Sequence, residues 1–171
     1  MSDFQMAALI HAEHDITLEM LNRLEQRTGK KYKAQPIDPA QVEERKLLDD
    51  LIATCTNDTD RHFSFEENRL FPHILAQGGE CMVNILTQEH AQIRPVATAL
   101  VDLSRDAIAS GAFTPAQWLE FCRLSSDLID IETFHIQKEE MGLIGALQVM
   151  FSPEQDAELA EDYKAISKPQ S

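Results

Sequence analysis

A histidine followed by a His-x-x-x-Glu motif one helix pair later occurs twice in this chain. His14 precedes His62 by 48 residues, and Glu66 lies 4 further on; His90 precedes His135 by 45, and Glu139 again lies 4 further on. Both leading histidines follow a glutamate, Glu13 and Glu89, and both motifs run into a second glutamate, Glu67 and Glu140. Residues four apart share one face of an α-helix, a turn apart. Each motif can therefore aim an imidazole and a carboxylate at one point from a single helix. The pattern implies a helix-pair unit used twice with approximate two-fold symmetry. Such a unit directs four imidazoles and two carboxylates to one place between four helices, as metal sites in bundle cores require.

The rest of the chain is built to supply those helices. Met6, Leu9, Ile10, Ile16, Met20, Leu21 and Leu24 recur with a helical and not a strand period. Ser2 or Asp3 can cap this first helix, and Gly29 suits its end. Asp38-Pro39 reads as a cap followed by a first-turn proline, opening a second helix with Val42, Leu47, Leu48, Leu51, Ile52, Cys55, Phe63, Phe65, Leu70 and Phe71 that ends near Gly78-Gly79. The polar run Asn57-Asp58-Thr59-Asp60 is expected to loosen it, and Pro72 to bend its last turns. A third helix runs from about Cys81 to Ser110 with Pro95 as a kink and Gly111 as its stop; Thr114-Pro115 opens a fourth that reaches Met150 or Phe151. Ser152-Pro153 starts a short fifth helix, about 153–167, ending before Pro169. The expected fold is all-α, an antiparallel up-down-up-down four-helix bundle over about 3–151 with the short C-terminal helix on its outside, the whole of 1–171 forming one domain.

Composition narrows the function. At 171 residues and 43% hydrophobic, the chain can bury a real core without staples. Lys+Arg 15 against Asp+Glu 29 gives a net charge of −14, which argues against a phosphate-binding surface and hence against nucleic acid. The one basic knot, Arg27, Lys30, Lys31 and Lys33, follows a helix end, where cations complement the dipole. No apolar run approaches membrane length and no secretory leader is expected, so a cytoplasmic setting with reduced Cys55, Cys81 and Cys122 follows.

The donor count favours a metal pair. Two bridging glutamates give each ion two oxygens, four histidines give each two nitrogens, and a shared solvent oxygen brings each to five ligands. Mixed imidazole and carboxylate donors suit iron or manganese, whereas structural zinc prefers closed, often thiolate-rich sites.

His-Phe-Ser-Phe-Glu-Glu-Asn-Arg-Leu-Phe-Pro (residues 62–72) and Phe-His-Ile-Gln-Lys-Glu-Glu (134–140), with the preceding Glu-His pairs, resemble the hemerythrin-like (HHE cation-binding) domains over about 8–150. The resemblance implies a non-haem di-iron centre with His14, His62, His90 and His135 as terminal ligands and Glu66 and Glu139 as bridges. The two iron ions, ferrous or ferric, would share an oxo or hydroxo bridge, with manganese or zinc as substitutes. Oxygen-carrying members add a fifth histidine four residues after the third-helix histidine, where this chain has Arg94, and close with aspartate five residues after the last. Members that repair iron–sulfur centres place another histidine after the first helix, where this chain offers only Tyr32. These departures point away from reversible oxygen carriage. They point toward binding or reductive activation of O2, peroxide or NO, or toward an iron- or oxygen-sensing module with a protein partner and no turnover.

Other residues invite plainer readings. His11 is a surface or supporting group beside His14, and His73 a partly exposed histidine beyond Pro72. Glu67 and Glu140 sit about a hundred degrees off the ligand face, as supports or solvent-facing groups; Glu13 and Glu89 stay open between the same roles. Phe63, Phe65, Phe71 and Phe134 wall a dry pocket or are ordinary core, the cysteines are buried apolar groups, and Glu154 through Asp162 is the wet face of the last helix. A ferritin-like scheme needs two Glu-x-x-His pairs, and only Glu132 with His135 supplies one.

Overall fold

The computed structural model describes residues 4–166. Four long helical stretches form a bundle and a fifth helix packs outside it. These are α1 (Gln5–Thr28), α2 (residues 42–76), α3 (Glu80–Ser110), α4 (residues 115–150) and α5 (Pro153–Ile166). Helices α1 and α2, α2 and α3, α3 and α4, and α4 and α1 are neighbours, and α5 lies on α1. The expected all-α bundle with an extra C-terminal helix is what the chain forms.

The apolar residues fall into two compartments, and their order along each helix shows the alternation of direction. One holds Met6, Ile10, Phe71, Leu86, Leu143 and Leu147; the other holds Leu21, Leu24, Leu48, Leu51, Leu100, Trp118, Phe121 and Leu128. Helices α1 and α3 run from the first compartment to the second, while α2 and α4 run back. Each helix carries buried polar residues where it crosses the boundary: His14 and Thr17, then Asp58, His62 and Glu66, then His90, then Glu132, His135 and Glu139. Burial of a full Leu or Phe side chain stabilises by roughly 1.5–3 kcal/mol. The two apolar layers thus supply the free energy that keeps a charged layer out of water between them.

The helix signals are realised unevenly. Thr114 forms a reciprocal capping box: Gln117 N–H donates to its hydroxyl (3.2 Å), and Thr114 N–H donates to the Gln117 side chain (2.9 Å). Gly111 ends α3 at φ 84°, a conformation only glycine adopts cheaply. By contrast, Asp38-Pro39 makes a local turn, Asp38 accepting from Ala40 N–H (2.9 Å), and α2 begins at Val42. The Ser2 or Asp3 cap and the boundary before Pro169 lie outside the described residues. Ile16 and Val42, counted with the apolar faces, are 61% and 80% exposed.

Three single π-helical turns interrupt the long helices. Phe63 N–H bonds Asp58 C=O, Phe71 N–H bonds Glu66 C=O, and Ile144 N–H bonds Glu139 C=O, each five residues back. The first replaces the expected loosening at Asn57–Asp60. The second ends just before Pro72, so the proline sits in the first turn of a fresh α-helical piece. The second and third begin at Glu66 and Glu139, the same place in each repeat; such turns cluster at functional sites.

Helix α5 is not held by an acidic wet face alone. Asp156, within the run read as solvated, is buried and accepts from Gln5 N–H (2.6 Å) and Met6 N–H (3.1 Å), capping the first turn of α1 from another helix. Asp156→Ala is expected to cost about 1–2 kcal/mol in urea denaturation, with Glu158→Ala on the exposed face of α5 as a neutral control.

Candidate metal centre

The boundary layer brings the six expected residues together. Among the described residues, Glu66, His90, His135 and Glu139 form one group of buried donors and His14, His62 and Glu139 an adjoining one, each group with donor atoms within 4.8 Å of one another. The two glutamates divide their oxygens between opposite histidine pairs. Glu66 Oε1 lies 3.2 Å from His62 Nε2, and Glu66 Oε2 lies 3.4 Å from His90 Nε2. Glu139 Oε2 lies 2.9 Å from His14 Nε2, and Glu139 Oε1 lies 3.2 Å from His135 Nε2.

Several of these atoms are close without being hydrogen-bonded. Glu66 Oε1 and Oε2, His90 Nε2, His135 Nε2 and Glu139 Oε1 are buried and lack an aligned partner. Buried polar atoms are rarely left so, because each such orphan costs roughly 1–3 kcal/mol. They converge from three helices on one layer without bonding one another, which is how a donor set for cations is arranged.

With protons as the only counterions, the layer protonates its imidazoles. Burial works against charge on His90 and His135, yet the Glu139 and Glu66 carboxylates push both up to about 9. His14 and His62 are raised despite burial, through Glu139 and Glu66 respectively among their acidic neighbours. Burial alone would raise Glu139; the nearby charge of His135, with the His14 hydrogen bond and the neighbouring His62, holds it well below the ordinary carboxylate range.

Each imidazole is oriented from behind by a glutamate of another helix. Nδ1 of His14 pairs with Glu140 (2.6 Å), of His62 with Glu13 (2.9 Å), of His90 with Glu67 (2.8 Å) and of His135 with Glu89 (3.0 Å). A proton on Nδ1 directed outward leaves the Nε2 lone pair for the interior. The arrangement follows the repeat. Glu13 and Glu89, just before the leading histidines, hold the motif histidines; Glu67 and Glu140, just after the motif glutamates, hold the leading ones. All four open glutamates are therefore supports. Each also meets a further polar group: Glu13 binds Arg61 and the buried Tyr163 hydroxyl, Glu67 binds Arg94, Glu89 binds Lys138, and Glu140 binds His11. Arg94, at the position of the missing fifth histidine, thus grips the carboxylate that orients His90.

The surroundings sort the remaining candidates. Phe63 stacks on the His90 ring at 3.9 Å, and Phe71 lies beyond at 5.8 Å, so both wall the layer. Phe65 packs on Tyr163, and Phe134 is 62% exposed and walls nothing. His73 is exposed, bonded to its own helix at Arg69 C=O. Tyr32 cannot complete the site: it lies beyond the end of α1, about 20 Å of helix from His14, beside Arg27 and Lys31. Cys55 and Cys122 are buried as expected, but Cys81 is exposed.

Two buried acids were not singled out as site residues. Asp58 and Glu132 line a small cavity together with His14, His62, His135 and Glu139. Burial and then the Asp58 charge push Glu132 up to about 8. Their signal was present: Asp58 lies one turn before His62 on the face that continues to Glu66, and Glu132 lies three before His135 on the face of Glu139.

The family model of the hemerythrin HHE cation binding domain matches residues 5–160 of the chain. A search of curated proteins finds no match. No helix among the described residues is long and apolar enough to cross a membrane. With the match covering all four bundle helices and the buried histidine and glutamate layer between them, this chain belongs to the hemerythrin HHE cation-binding family.

Proposed function

We propose that the chain holds a pair of iron ions and uses them to bind or reductively activate a small ligand: O2, peroxide or NO. His14 and His62 would serve one ion and His90 and His135 the other, with Glu66 and Glu139 bridging. The observation that carries this reading is the division of each glutamate's oxygens between opposite histidine pairs, which supplies each position with two nitrogens and two oxygens. Such a donor set, free of thiolate, suits iron or manganese better than closed structural zinc, with manganese and zinc as substitutes. Bound iron would supply one-electron redox chemistry and affinity for a diatomic or peroxide ligand. The chain's own part is to fix ring orientation through Glu13, Glu67, Glu89 and Glu140, to keep water off His90 with Phe63 and Phe71, and to balance charge with Glu66 and Glu139. A reducing cytoplasmic setting suits the free thiols of Cys55, Cys81 and Cys122.

Metal content of protein purified without chelator, read with near-ultraviolet absorption of a bridged ferric pair, tests the reading. His90→Ala is expected to lose metal and His73→Ala to keep it. Content well below two ions per chain, unchanged in His62→Ala, would overturn the assignment. Among the supports, Glu67→Ala and Glu140→Ala are each expected to weaken metal binding about 10–100-fold in competition with a chelator.

One feature favours a second reading, an iron or oxygen sensor. The Tyr163 hydroxyl donates to Glu13, which orients His62, so docking of α5 and alignment of the site share a residue. Steady-state consumption of peroxide or NO under reductant supports the first reading; metal-dependent protease resistance of α5 without turnover supports the second.

A further inference from the structure

We infer that divalent cations reach the centre through the cleft between α1 and α2, passed inward by a transit pair of carboxyl groups, Asp58 and Glu132. The route presupposes the metal reading above and adds where the ions go in.

Three cavities adjoin. A surface depression of about 250 Å³ opens between the two helices, with Ile16, Ala53 and Asn57 on its rim and Thr17 and Asp58 at its floor. Thr17 and Asp58 also line the chamber beside His14, His62, His135 and Glu139, a space of about 10 Å³ that holds roughly one water or ion. They line a second space of the same size toward Met20 and Leu128, and Glu132 borders both inner spaces. Thr17 and Asp58 thus border all three spaces and Glu13 borders the outer depression and the donor chamber, so these residues stand between solvent and the donor layer.

The chemistry of this passage selects cations. The Thr17 hydroxyl donates to Asp58 Oδ2 (3.1 Å) and so fixes the carboxylate at the floor. Behind it, Glu132 is 3% exposed, and its Oε2 has no hydrogen-bond partner. That oxygen is not among the gathered donor atoms of either group, so it offers an incoming ion a foothold short of the final ligands. Glu13 adds a third carboxylate beside the path, and Arg61 on the rim is engaged with it and lies over the Tyr163 ring. On the side of His90 the stacked rings of Phe63 and Phe71 close the layer with apolar surface.

Anaerobic stopped-flow uptake of Co2+ by metal-free protein, followed by its visible absorption, tests the route. The double variant Asp58→Asn, Glu132→Gln is expected to take up Co2+ at least about tenfold more slowly while still filling to the wild-type stoichiometry. Ala53 is exposed, so Ala53→Trp covers the depression without touching a charge or the core; it is expected to slow uptake likewise, while Gln92→Trp on exposed α3 surface does not. Wild-type rates in both the double variant and Ala53→Trp overturn the route. So does a loss of bound Co2+ in the double variant, which would make these acids resident ligands. A wild-type chain that takes up no Co2+ overturns the metal reading itself, and the route with it.

Discussion

Glu139→Ala is expected to empty both cation positions together, whereas His14→Ala empties chiefly one. Glu139 is fully buried and places one oxygen 2.9 Å from His14 and the other 3.2 Å from His135, so it is the residue common to both donor groups. Its removal takes a negative charge from each position at once. Loss of a partner to a buried charge is strongly destabilising, by about 3–5 kcal/mol, which corresponds to well over a hundredfold in affinity. His14 belongs to one group only, so its variant should retain about half of the metal, in the position flanked by His90 and His135. Elemental analysis of chelator-free preparations checks this. Equal losses in the two variants would show that the glutamate does not bridge. The metal-free Glu139→Ala protein is expected to be less stable, because Glu139 balances the protonated imidazoles around it, so its circular dichroism is read beside its metal content.

Metal loading is expected to raise the melting temperature by about 10 °C near neutral pH, and by more as pH rises. A ligand at a thousand times its dissociation constant contributes about 4 kcal/mol, and a chain of this size shifts by roughly 2–4 °C per kcal/mol. The pH dependence follows from the protons that occupy the layer in the metal's place. His90 and His135, pushed up to about 9, bind protons more tightly folded than unfolded. Their contribution to the metal-free fold is complete below about pH 6.5 and is lost as pH rises through about 9. Glu132, raised to about 8, has the same sign, its contribution fading between about pH 4.5 and 8. Glu139 acts oppositely: held well below the ordinary range, it contributes above its unfolded value and fails only in acid. Metal competes with the histidine protons, so loading should release protons into a weakly buffered solution at neutral pH. Calorimetry with and without chelator at pH 6, 7.5 and 9 checks the trend. A metal-free melting temperature that climbs across this range would contradict it.

The fold was legible because its signals are local and repeated. The apolar period of α1, the Thr114-Pro115 start and the Gly111 stop each act within a turn or two, and each formed. The convergence of the six candidate donors was legible because spacing alone places them on inner helix faces. Less was legible where the outcome depends on a different helix. Glu67 and Glu140, a hundred degrees from the ligand face, meet the flanks of His90 and His14 while staying partly exposed, and no count along one helix reveals which neighbour lies there. Asp156 reads as one acid among many until α5 is laid across the start of α1. The π turns left no composition signature, since an extra residue in a turn is a matter of tertiary fit around Glu66 and Glu139.

The hydroxyl of Tyr163 and the carboxylate of Asp156 together make the fifth helix more than an appendage. A minimal protein cut back to the four long helices would keep every inner donor while stripping a phenol from one orienting carboxylate and a lid from the first amide groups of α1. Anyone trimming or transplanting this scaffold should therefore carry the tail along, because alignment of the imidazole at position 62 is anchored a hundred residues downstream of it.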